Sequence, residues 1–118
     1  MVNKVIISPM QWAATKDLED CEPLSQEDFE CMKELREILC KYGKLDRFAL
    51  HLIHKHFDLS DDEILVEYSD SSTREQVFKV EKLDADIVEH SVPTTWTLER
   101  IEPMARCVCA KRMGKGHL

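Results

Sequence analysis

The chain reads as an α+β domain in which one long amphipathic helix packs on a mainly antiparallel sheet of about four to six strands. Three observations carry that expectation. Apolar residues recur at three- and four-residue spacing between Phe29 and Tyr42, which is the period of a helix with one buried face. After Gly43 the pattern changes to short runs rich in β-branched and aromatic residues, separated by polar turn clusters, which is the signature of strands. No repeat, low-complexity segment or linker interrupts the 118 residues, so positions 1–118 are expected to form a single globular domain around one core.

Taken in order, Val2 to Ser8 has strand composition around Val5, Ile6 and Ile7, and Pro9 ends it because proline cannot donate to a ladder. Gln11 to Pro23 lacks a period and reads as a loop held down by Trp12. Ser25 then opens the helix as N-cap, with Asp28 three residues on and Glu27 beside it at the positive end of the helix dipole. Phe29, Met32, Leu35, Ile38, Leu39 and Tyr42 form the apolar face, and Gly43 stands where a left-handed cap is wanted. Cys31 and Cys40 flank the stripe and read as small, semi-buried apolar residues.

Phe48 to Phe57, FALHLIHKHF, is apolar on both faces when written as a strand, which predicts a central strand; the helical alternative, which would stack His51 on His54, is short and lacks a cap. Its hairpin partner is expected at Ile64 to Tyr68, after the polar turn Asp58–Glu63. A second turn, Ser69 to Thr73, precedes a third strand at Gln76 to Glu81. Asp84 to His90 fits either a strand or a turn of helix, Thr94 to Arg100 has strand composition, and Pro103 separates it from a last run at Ala105 to Lys111.

Composition narrows the function. Hydrophobic residues make up 43% and charged residues 33%, the proportions of a folded soluble protein. A net charge of −7 argues against nucleic acid, whose non-specific binding rests on a basic surface. The four cations of Met104 to Leu118 read as a solvated end. No apolar window reaches membrane-spanning length, and the N-terminal apolar run is too short for a secretory signal, so no membrane partner is expected and the localisation is read as cytoplasmic. Five cysteines then read as thiols, ligands or core residues rather than a disulfide framework.

The candidate site joins His54-x-His56 to Cys107-x-Cys109. On a strand, residues two apart project to one face, so each pair would present two donors to one point. Two imidazoles and two thiolates make a tetrahedral shell suited to zinc. With all four ligands bound the site would be structural, whereas an open position, or competition from His51 or His117, would allow hydrolytic chemistry. Thiol chemistry at Cys107 and Cys109, helped by Arg106, Lys111 and Arg112, and acid–base roles for Glu63, Glu67, Asp61 and Asp62 lack a complete set of partners in the sequence. Glycine loops for phosphate are absent. The competing reading is a metal-free protein-interaction or oligomerisation module, with histidines and cysteines in the core and a homodimer formed through a sheet edge, for which the short strands Ile64 to Tyr68 and Gln76 to Glu81 are the candidates. Trp12 and Trp96 are candidate anchors for such a contact.

Overall fold

In the computed structural model, residues 15–106 and 108–111 are described, and they fall into two compact units. Thr15–His56 forms one, and the described chain from Phe57 onward forms the other. The expected strand Val2–Ser8, Trp12, Cys107 and the tail with His117 lie outside the described residues.

The first unit is built on α1, Gln26–Lys41. Its start is a reciprocal capping box: the Asp28 N–H donates to Ser25 Oγ at 3.2 Å, and the Ser25 N–H donates to Asp28 Oδ2 at 2.7 Å. Two of the amides that every helix start leaves without an intrahelical acceptor are thereby satisfied. Its end is a Schellman motif. Gly43 takes φ +66°, its N–H reaches Cys40 O at 3.0 Å, and the Lys44 N–H reaches Leu39 O at 2.8 Å, a geometry that glycine adopts without a Cβ clash. Along the apolar face Met32, Leu35 and Leu39 are half-buried, while Phe29, Ile38 and Tyr42 are exposed. Cys31 and Cys40 are exposed thiols rather than semi-buried ones. A 3₁₀ turn at Leu18–Asp20 precedes the helix.

The second unit holds two sheets. β1, Glu63–Asp70, and β2, Glu75–Lys82, form an antiparallel hairpin in the register Glu63 to Lys82. Its turn is built by Asp70, whose Oδ1 accepts from the Ser72 N–H at 2.9 Å, the Ser72 hydroxyl at 2.6 Å and the Thr73 N–H at 3.3 Å, the local bonding that suits aspartate to turns. A short helix, α2, Ala85–Glu89, is capped by Asp84 through the Ile87 N–H at 2.8 Å. It leads into β3, Ser91–Pro93. β4, Trp96–Thr97, and β5, Glu102–Pro103, make a separate two-stranded ribbon. β6, Val108–Ala110, inserts between β1, to which it is parallel, and β3, to which it is antiparallel. The larger sheet therefore has the order β2-β1-β6-β3 and is mixed.

Ile64, Val66, Ala105 and Val108 form the buried cluster, with Leu59, Tyr68, Leu83, Ile87 and Ala110 packed around it. Ile64 and Val66 are two apart on β1 and so share a face, with Val108 beside Val66 in the ladder.

The α+β class and the strands over 64–68 and 76–81 agree with the sequence. The expected central strand over 48–57 does not form. Within it only Lys55 makes a β-bridge, to Asp17, with the Lys55 N–H donating to Lys16 O at 2.8 Å and the Leu18 N–H donating to Lys55 O at 2.9 Å. The expected hairpin with 64–68 is likewise replaced, because β1 pairs with β2 and β6 on its two sides. A run apolar on both faces forms a strand only when its backbone finds a ladder, and here one residue does so.

Candidate functional site

The loss of the strand rearranges the histidines. On alternating faces His51 would point away from His54. In the folded chain the two rings stack, with centroids 5.3 Å apart, and His56 stands edge-on to His54 at 5.1 Å. The segment thus gathers all three imidazoles in a chain with His54 at its middle. His54 Nδ1 lies 2.6 Å from Leu52 O. In the neutral ring that nitrogen donates, which leaves Nε2 with the free lone pair. Burial, and secondarily the neighbouring His54, hold the His51 pKa below its ordinary value of 6.5.

The predicted four-residue set does not lie within one unit. His54 and His56 belong to Thr15–His56 and Cys109 to the other unit, while Cys107 lies outside the described residues. Among the described residues no group of three or more His, Cys, Asp or Glu side chains is arranged to hold a metal ion. None of His51, His54, His56 and His90, and none of Cys21, Cys31, Cys40 and Cys109, is fully buried, so the described histidines and cysteines are not core residues.

Cys109 sits on β6 between β1 and β3. Its thiol donates to Glu67 Oε1 at 3.3 Å and is 3.7 Å from Thr94 Oγ1. Of the cations expected near it, Arg106 Nη2 donates to Phe57 O at 2.6 Å and Lys111 Nζ donates to Glu89 O at 3.1 Å, while Arg112 lies outside the described residues. Of the candidate acids, Glu63 accepts the Ser60 N–H at 2.8 Å and Asp62 pairs with Lys82 at 2.9 Å. Lys82 holds the Asp62 carboxyl below its ordinary pKa, and Asp62 in turn raises that of Lys82. These are the roles of turn and strand-end residues.

A different surface emerges from the sheet. β1 is paired on both sides, whereas β2 has a strand partner on one side only among the described residues. None of its eight residues is buried. Val77, Phe78 and Val80 are 43%, 49% and 42% exposed, so each of its apolar side chains keeps nearly half of its surface in water. The phase of the ladder follows from the Leu83 N–H bonded to Asp62 O at 2.7 Å. Hydrogen-bonded pairs recur every second residue in an antiparallel ladder, so Glu81, Lys79 and Val77 turn their backbone groups toward β1. Phe78, Val80 and Lys82 therefore turn theirs outward. The opposite edge, β3, is three residues long and ends in Pro93, two features that blunt an edge.

At the β2 margin Tyr68 donates its hydroxyl to Glu81, and Lys79 Nζ lies 5.6 Å from the Tyr68 ring centroid. Burial, then the hydrogen bond and charge of Glu81, push the Tyr68 pKa up to about 12, so the phenol remains a neutral donor. The sequence offers both Ile64 to Tyr68 and Gln76 to Glu81 as open-edge strands, and the order of the whole sheet separates them: β1 is paired on both sides, β2 on one among the described residues. No known protein family, curated protein or solved structure matches the chain.

Proposed function

We propose that the chain is a protein-interaction module that works by accepting an extended segment on the edge of β2. The observation that carries this reading is the outward row of backbone groups at Phe78, Val80 and Lys82, flanked by exposed Val77, Phe78 and Val80. Strand addition at such an edge draws affinity from main-chain hydrogen bonds and selectivity from alternate side chains. The proposal takes 1–118 as one domain in the cytoplasm, with the apolar stripe of α1 packed on a sheet face. The thiols of Cys21, Cys31 and Cys40 are in keeping with a reducing compartment. No helix among the described residues is long and apolar enough to cross a membrane.

Amide hydrogen exchange at Phe78, Val80 and Lys82 tests the reading, measured in a lysate of the source cells and on the purified chain. Protection in either setting, approaching that of β1 and removed by Val80→Pro, is the expected outcome. Free exchange in both settings contradicts it.

A second reading is a zinc site formed by His54, His56, Cys107 and Cys109, of structural or hydrolytic role. It is favoured by one specific observation, the side-by-side imidazoles centred on His54 with its Nδ1 committed to a carbonyl, since such a bond orients a ligating ring. Elemental analysis of protein purified without a histidine tag should find one zinc per chain, lost in Cys109→Ala. Metal-free protein with unchanged folding would end this reading.

A further inference from the structure

We infer that the segment received by β2 is β2 of a second copy of this chain, in an antiparallel register with the two-fold axis through Val80; this rests on the strand-addition reading above. The argument begins with symmetry. Two identical edge strands brought together by a two-fold axis normal to the sheet keep each residue on its own face. Directly opposed residues also share a face, so the axis must pass through a residue. That leaves few registers for EQVFKVEK, and the charges decide among them.

An axis through Lys79 opposes two ammonium groups, and one through Glu81 opposes two carboxylates. An axis through Phe78 places Glu75 against Glu81 twice. Like charges directly opposite are destabilising. An axis through Val77 offers Glu75 to Lys79 but sets Val80 against Arg74, which stands in the turn with φ +61°. An axis through Val80 instead opposes Val80 to Val80, Phe78 to Lys82 and Lys79 to Glu81. One face then carries a run of Phe78, Val80 and their copies, where the Lys82 stem and ammonium meet the Phe78 ring. The other face carries two opposite-charge pairs.

The backbone agrees with this choice. Phe78, Val80 and Lys82 are the residues whose amides and carbonyls point away from β1, and this register pairs them with one another. Each pair can then exchange both of its main-chain bonds, and two four-stranded sheets become one continuous sheet. Lys79 also acts as a selector. An apolar strand laid on this edge leaves Lys79 without a counter-charge, whereas the second copy supplies Glu81.

The test is a charge exchange read by sedimentation of the purified full chain. A ladder of this length buries less than about 1,000 Å², the range of weak associations, so the series runs to high protein concentration. Lys79→Glu and Glu81→Lys singly place like charges opposite each other at two points and should each weaken the dimer about tenfold or more. Lys79→Glu combined with Glu81→Lys should restore it, with circular dichroism unchanged throughout. A dimer indifferent to all three variants overturns the register while leaving strand addition intact. A monomer at every concentration overturns the second copy as occupant, and amide protection in the lysate then shows whether another polypeptide takes the edge. Should Glu81→Lys unfold the chain by removing the Tyr68 acceptor, Phe78→Glu serves instead: it exchanges the Phe78–Lys82 contact for an opposite-charge pair and should retain the dimer, whereas Lys82→Glu with Phe78→Glu should abolish it.

Discussion

At the level of single residues, His51 shows how a local reading fails and what replaces it. Strand parity sends His51 and His54 to opposite faces, and the sequence therefore offers His54 and His56 alone as a pair. Without a ladder to impose that parity, the rings of His51 and His54 stack 5.3 Å apart. The consequence is a pH dependence of defined sign. Because burial and His54 lower the His51 pKa from 6.5, the unfolded chain takes up a proton near its ordinary value while the folded chain resists it. The contribution of His51 is therefore complete above about 6.5 and is lost as pH falls through the depressed value in the fold. Chemical denaturation between pH 7.5 and 5 should show a shallower loss of stability for His51→Gln than for the natural chain. Equal slopes would contradict the assigned environment.

The elements show which physical signals survive in sequence. α1 was legible to within a residue because its limits are local: Ser25 and Asp28 satisfy each other's amides, and Gly43 supplies the left-handed turn. β1 and β2 were legible because alternation and the Asp70 turn are also short-range. The segment 48–57 was not, since apolar composition says nothing about whether a backbone partner exists. The insertion of β6 in parallel beside β1 likewise depends on contacts between distant residues. The same distinction predicts energetics. Ile64 is fully buried on a strand paired at both sides, and Ile64→Ala should cost about 2–5 kcal/mol. Val92, 42% exposed on β3, should lose no more than about 0.5 kcal/mol on truncation to alanine. Urea unfolding monitored by tryptophan fluorescence would reveal the contrast, and comparable losses would place the core elsewhere.

For the molecule as a whole, the informative feature is how much apolar surface the described chain leaves in water. Isolated exposed apolar residues are ordinary, but on β2 Val77, Phe78 and Val80 coincide with an edge that has no second strand partner among the described residues. Proteins that keep a long edge unpaired protect it with charge, proline or a bulge. β3 has its proline, and β2 has two lysines, of which Lys79 is set against Glu81 and Lys82 against Phe78 in the register of a second β2. The candidate site that a sequence reader finds first, the histidine and cysteine clusters, divides between two units. The site that the sheet order points to lies on Gln76 to Glu81, one of the two short strands that the sequence offers as an open edge. Light scattering of the unaltered chain at high concentration bears on this account most directly: it predicts a molar mass approaching twice the 13.8 kDa of the chain, and a mass that stays at 13.8 kDa would contradict it.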